Sequence, residues 1–269
     1  VKRLGGLILF LAFGAPLSAQ EVRDLYINDL ERICARPAYA DSVLQQMKAY
    51  GINQITLFDF FRFRGKLCLE GFLQRAREQG IVRISAGLPH AYFAPQATGE
   101  LPPLSRSEAL VFENEFWLEE DAHRALKLIG RLQKEKRAAR LQLDIYFGWF
   151  GQGVDENQMA LRICRTFDRI LLHHYRQGAD YPYLHGRLET FAQAARRYSG
   201  QQNIVVRMHI GPQYQEDLSP ERVANIYAQL EQEFRQAAQQ NPALRSLRWQ
   251  GWQLFNSHDL LEAVSQSNE

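Results

Sequence analysis

Two hydrophobic patterns alternate along this chain. Short runs are apolar throughout or alternate apolar and polar residues, which is the period of a strand. Longer segments repeat apolar residues every three to four positions, which is the period of a helix. Read in order, strands are predicted at 24–28, 54–59, 82–87, 109–117, 141–147, 168–175, 203–209 and 247–255. Helices are predicted at 38–50, 67–79, 119–139, 156–166, 188–198 and 220–239, with a short one from His258. Gly51, Gly80 and Gly200 follow the ends of three of these helices, where the chain turns left-handed. Ser219-Pro220-Glu221 is a helix start, with Ser219 as N-cap and Pro220 in the first turn. The segment 89–107 holds Pro89, Pro95, Pro102 and Pro103 and no periodicity. Loops of that length in a compact domain are functional or disordered.

About eight strand–helix units in roughly 250 residues match a (β/α)8 barrel, the α/β architecture expected here as one domain over 20–269. An open doubly wound sheet is the alternative. A nucleotide-binding sheet of that kind carries a glycine-rich turn after its first strand. Asn28-Asp29-Leu30-Glu31 has no glycine. No linker, short repeat or low-complexity segment divides the chain.

The first residues follow another rule. Lys2 and Arg3 precede an apolar run from Leu4 to Leu17, then Ser18-Ala19-Gln20. A basic start, a short apolar core and a small residue make a signal peptide over 1–19, with a retained anchor as the alternative. The run is too short for a comfortable membrane span. A secreted or periplasmic protein with no stable span after processing is expected. The 32 basic and 30 acidic residues leave a net charge of +2, which implies no nucleic-acid partner. Cys34, Cys68 and Cys164 form no disulfide framework and no zinc pattern. Three buried reduced thiols are expected, with one bridge and one free thiol as the alternative.

Candidate chemistry gathers at the C-terminal ends of the strands, which converge on the active-site mouth of a barrel. Glu113, Glu115 and Trp117 share one face of the fourth strand with Val111. Tyr26, Asp59, Tyr146, His173, Tyr175, Arg207, His209, Gln253 and Phe255 end the other strands, and Trp149 follows the fifth. Aromatics make up 12% of the chain, a richness that sugar clefts and cores both use. Carboxylates on one strand are about 6.6 Å apart and approach from the same side. They suit an acid and its tuner rather than an acid and an opposing nucleophile. Glu115 is expected to donate a proton, with Glu113 and Asp144 tuning it.

These strand ends resemble glycoside hydrolase family 18 barrels: chitinases, endo-β-N-acetylglucosaminidases and their inactive relatives. That family carries DxxDxDxE on strand four. Glu115 takes the Glu position, Glu113 the preceding Asp, and Val111 stands where another Asp belongs. His173-His174-Tyr175-Arg176 is similar to the strand-six MxYD, with Arg176 replacing the Asp. Ser85-Ala86-Gly87 is similar to SxGG, and Phe255 falls at the strand-eight Trp. The resemblance implies a carbohydrate ligand bearing N-acetylhexosamine, substrate-assisted hydrolysis and no cofactor. A degenerate, glycan-binding barrel without hydrolysis is the alternative.

Other chemistries are weaker. His173, His174 and His209 with Asp144 offer zinc-type donors without a zinc motif, so a metal-assisted hydrolase is a third reading and no metal ligand is assigned. Ser85 has no nucleophile-elbow sequence. Phe147, Trp149 and Phe150 are either a stacking platform or a loop anchor.

Overall fold

The computed structural model describes residues 21–88, 108–113, 127, 130, 133–134, 141–198, 200–209 and 219–255. The strands are β1 Val22–Ile27, β2 Gln54–Leu57, β3 Arg83–Leu88, β4 Glu108–Phe112, β5 Gln142–Phe147, β6 Arg169–His174, β7 Gln202–His209 and β8 Leu247–Phe255. All pair in parallel in sequence order, and β8 closes on β1. The (β/α)8 expectation is met. The helices are α1 Leu30–Ala35, α2 Pro37–Ala49, α3 Phe60–Phe63, α4 Leu67–Glu78, α5 Glu156–Thr166, α6 Tyr181–Tyr198 and α7 Pro220–Gln240. Lys127, Gly130, Gln133 and Lys134 are helical within the segment expected to follow β4. Among the described residues, no helix is long and apolar enough to cross a membrane. The signal-peptide residues lie outside the described set.

Local signals account for most helix ends. Pro37 opens α2 and Pro220 opens α7, where the missing N–H has no intrahelical acceptor to lose. The Ser219 hydroxyl accepts from the Arg222 N–H at 3.2 Å, and the Asp155 carboxylate caps α5 from the Gln158 N–H at 3.0 Å. Helix α6 starts earlier than 188, with Pro182 in its first turn. Arg187 explains why this stretch holds. Its guanidinium donates to the carbonyls of Tyr183, His173 and Gly148, tying the helix to two strand ends.

Alternation along each strand sorts side chains between two cores. Outward residues such as Leu25, Ile27, Ile55, Leu143 and Ile170 pack beneath the helices in the larger core. The barrel interior holds a small apolar cluster of Val22, Tyr26, Val111, Tyr146, Leu171 and Val205. The remaining interior is polar. Asp144 accepts from Arg83 Nη2 at 2.7 Å and from Arg169 Nε at 3.0 Å. Arg169 also donates across the barrel to Gln54 Oε1 at 3.0 Å. Beside this set, the Asp24 carboxylate accepts from Thr56 and Gln253, each at 2.9 Å. Burial is the leading effect on Asp24 and raises its carboxyl above the usual range, against the opposing pull of Arg169. This charged layer lies toward the N-terminal ends of the strands. There Gln54, Arg83, Gln142 and Arg169 also line a polar cavity of about 420 Å³.

The cysteine expectation is corrected. Cys34 and Cys68 form a disulfide between α1 and α4, and Cys164 alone is a buried free thiol. Sequence spacing did not reveal the pair because α1 and α4 meet only once β1 to β3 have stacked. The bridge spans 34 residues of sequence. Removing it with Cys34→Ala/Cys68→Ala is expected to lower unfolding free energy by about 2–4 kcal/mol. Denaturant titration of the oxidised protein beside the double variant measures this. Burial pushes the Cys164 thiol up to about 12, so it stays protonated and unreactive.

Candidate functional site

The mouth at the C-terminal ends of the strands is built around Glu113 and Arg207. Glu113 follows β4 directly, and its N–H reaches the Leu88 carbonyl at 3.4 Å, which keeps the chain in strand register one residue further. Val111 faces the interior, so Glu113, two residues on, does too. Burial is the main influence on its carboxyl and raises it above the usual range. The Arg207 charge and the nearby Tyr26 hydroxyl pull the other way, while Asp59 adds to the rise. Glu113 Oε1 is buried and meets no hydrogen-bond partner.

Arg207 comes from β7. Its guanidinium carbon lies 3.7 Å from the Tyr146 ring centroid, 3.9 Å from that of Phe255 and 4.9 Å from that of Tyr26. Tyr26 sits edge-on to Tyr146 at 6.0 Å, and its ring is 5.1 Å from Phe255 and 6.3 Å from Phe58. His173 stacks on Tyr175 at 4.6 Å, and Tyr175 stacks on Phe255 at 6.0 Å. The strands thus place aromatic rings around one guanidinium. Burial, helped by the neighbouring Glu113 carboxylate, drives the Tyr26 phenol far above its ordinary value. Tyr146 is raised too, mainly by burial. Its hydroxyl has no partner in hydrogen-bonding geometry, although the Gln253 amide is close enough to ease its ionisation.

Asp59, two residues past β2, has φ of 55°, in the left-handed region that non-glycine residues rarely occupy. It stands at the N-cap position of α3, yet its side chain makes no cap hydrogen bond. Trp149 lies beyond β5 and is 57% exposed. Of the platform-or-anchor pair, Phe150 is the anchor, packed on Phe147 at 4.6 Å and on Phe191 at 5.6 Å.

The structure brings together Tyr26, Asp59, Glu113, Tyr146, His173, Tyr175, Arg207 and Phe255. Two expected members sit elsewhere. Asp144 is one inward position below Tyr146 on β5, held by two guanidiniums, and is not among the groups acting on Glu113. Gln253 is fully buried and donates to Asp24 and Thr56 in the same lower layer. Both were assigned to the mouth because strand ends blur by a residue or two in sequence, and the next inward position differs by only two. Glu115 and Trp117 lie outside the described residues, as does the side chain of His209. Phe58 was missed. The inward alternation Gln54, Thr56, Phe58 along and just beyond β2 is the signal that finds it.

The metal reading loses its geometry. His173 faces the mouth, whereas His174 points the other way, 6.1 Å from the Tyr183 ring, and accepts from the Asp180 N–H at 3.2 Å. Burial lowers His174 to about 4, so it is neutral at physiological pH. Asp144 is consumed below. Among the described residues, no three His, Cys, Asp or Glu side chains converge on a metal position.

No family model and no curated protein matches the chain. Solved structures do. Concanavalin B is 13% identical, with 93% of this chain and 97% of that one covered and a TM-score of 0.44. A xylanase-α-amylase inhibitor protein solved in complex with trehalose is 14% identical, with coverage of 92% and 96% and a TM-score of 0.46. An HpcH/HpaI aldolase from Desulfitobacterium hafniense is 9% identical, with coverage of 93% and 92% and a TM-score of 0.47. At these identities and TM-scores no residue role is carried across.

Proposed function

We propose that this barrel is an exported carbohydrate-active protein that binds an N-acetylhexosamine-containing glycan at its C-terminal mouth and hydrolyses it with an acid at the end of β4. The observation that carries the reading is Glu113. It is a carboxyl raised by burial, with the Tyr26 hydroxyl close by, and set among aromatic rings where strand ends converge. Ring faces suit the apolar faces of sugars, and a carboxyl whose proton affinity is raised suits protonation of a leaving oxygen. Glu113 therefore replaces Glu115 as the proposed donor, and Asp144 has no part in the step. Tyr26 orients the acid, and Asp59 raises its proton affinity by like-charge repulsion. Attack at the anomeric carbon falls to the substrate's acetamido oxygen. Export is supported by the disulfide, which belongs to oxidising compartments.

Release of reducing ends from N-acetylglucosamine-containing glycans tests this. Glu113→Gln is expected to lose at least about a hundredfold in turnover, the scale of general acid catalysis, with its melting temperature kept. Loss in Glu115→Gln alone would return the role to Glu115. Since the step needs the protonated acid and the native value is raised, turnover persists above the pH at which a free carboxyl ionises. It falls as pH rises through the raised value. Asp59→Asn removes a like charge and is expected to move that fall to lower pH. A second reading, glycan binding without hydrolysis, is favoured by the Tyr26 hydroxyl and the Arg207 charge, both of which support the ionised carboxylate. It is distinguished by saturable glycan binding that survives Glu113→Gln with no reducing ends released.

A further inference from the structure

A neutral glycan leaves the charge in the mouth unexplained. Arg207 is a permanent cation and only 5% exposed. Among the described residues, no ion pair joins it to a carboxylate. What holds it is neutral: the rings of Tyr26, Tyr146 and Phe255, and His173 Nε2 at 3.1 Å from Nη1. A guanidinium can only donate, so that imidazole nitrogen accepts and His173 is uncharged in this contact. Arg207 Nε is buried and has no hydrogen-bond partner.

Two more polar atoms of the same mouth share that condition. They are the hydroxyl of Tyr146, a residue 3% exposed, and Glu113 Oε1. Buried polar groups are almost always satisfied, and a buried charge is almost always paired. In the lower layer Asp24 Oδ1, Arg169 Nη2 and Gln253 Oε1 also lack hydrogen-bond partners, but its cations are paired, since Arg83 and Arg169 share Asp144. Arg207 is the exception, and it lies where a ligand enters. Its planar fork is shaped to receive a carboxylate through two N–H groups.

We infer that the glycan taken by this site carries a carboxylate, as a chain of alternating hexuronate and N-acetylhexosamine does, and that Arg207 receives it. The inference rests on the glycan reading above and names the substrate class within it. The anion meets Arg207 on one side of the mouth, with the His173 imidazole neutral beside it. The opposing charges are Asp59 and Glu113. Burial raises the proton affinity of Glu113, which lessens the repulsion it offers an anion.

Calorimetric titration of the purified full chain with three tetrasaccharides tests the inference at one pH and ionic strength. These are a hyaluronan tetrasaccharide, its carboxyl methyl ester, and tetra-N-acetylchitotetraose. Wild type is expected to bind the acid at least about tenfold tighter than the ester, the gain from one charge-assisted bidentate contact. Arg207→Met keeps the length and the ring contacts but loses the charge, and its ratio of acid to ester affinity is expected to fall to about one. Arg207→Lys keeps the charge without the fork, so its ratio is expected to lie between the two. Melting temperatures confirm that the variants are folded. If Arg207→Met does not fold, the Arg207→Lys ratio and the wild-type comparison decide. Equal wild-type affinity for acid and ester overturns the inference, as does an undiminished preference in the folded variant. Chitotetraose binding with no acid preference overturns it while leaving the glycan reading standing. Binding of none of the three removes both.

Discussion

Gly251→Ala is expected to leave the protein unfolded or aggregated, with a loss of at least about 4 kcal/mol, at the far end of what single substitutions do. Gly251 has φ of 151°, in the region that favours glycine. A Cβ there would stand 2.0 Å from the Val22 carbonyl oxygen and 2.6 Å from its nitrogen. Val22 is the paired residue of Gly251 across the β1–β8 seam, where the barrel closes. The clashing atoms are strand backbone, so nothing can swing aside without opening the seam. On its other side Gly251 adjoins the register shift between β7 and β8, where Ile204 pairs with Trp249 and Val205 with Gly251. Such bulges tighten the local twist and bring backbones close. Gly80→Ala is the control. Gly80 has φ of 100°, but a Cβ there meets nothing within 4 Å. Only backbone strain remains, of order 1 kcal/mol. Urea unfolding of both variants measures the contrast. A Gly251→Ala protein that melts with wild type would contradict the close approach at the seam.

The second large effect concerns Asp144. Asp144→Ala removes the one carboxylate shared by Arg83 and Arg169, and Arg169 is fully buried. Two guanidiniums are then left facing each other in the barrel interior. Breaking a buried pair in this way costs about 3–5 kcal/mol, because the remaining charge is desolvated without compensation. For a domain of this size that lowers the melting temperature by roughly 6–20 °C. Glu113→Gln is expected to leave the melting temperature near wild type, since Glu113 Oε1 makes no hydrogen bond to lose. The pair of variants thus separates floor from mouth: one carboxylate holds the barrel together and the other stands at the mouth. A thermal scan of Asp144→Ala that overlays wild type, with glycan turnover abolished, would restore Asp144 to the catalytic role its sequence position suggested.

Much of this architecture is legible in periodicity. Eight strand patterns separated by helical ones lead to a barrel because a parallel strand must be followed by a crossover, and right-handed crossovers repeated eight times close the sheet. Glycines after helices and the Ser219 cap are local chemistry and hold without reference to the rest of the chain. The rim was legible in outline for the same reason: in a barrel every strand end faces the same mouth. Phe58 escaped because it lies one residue past β2, where the strand pattern was already giving way to the turn at Asp59.

Position along the barrel axis was not legible. Asp144 and Tyr146 both face inward on β5, so alternation cannot say which of them reaches the mouth. The stagger between strands decides, by setting Asp144 opposite Arg169 and leaving Tyr146 a step higher. The Cys34–Cys68 bridge and the Arg207 box of rings have the same character. Each joins residues distant in sequence, and no local pattern encodes their meeting. Strand and helix order, the barrel class and the residue types at the rim can be read without the fold, because they follow from spacing along one segment. Which carboxylate is paired at the floor, which is raised at the mouth, and which cation meets no carboxylate among the described residues depend on how the strands are staggered. Those properties are sums over charges and buried surfaces contributed by several strands at once.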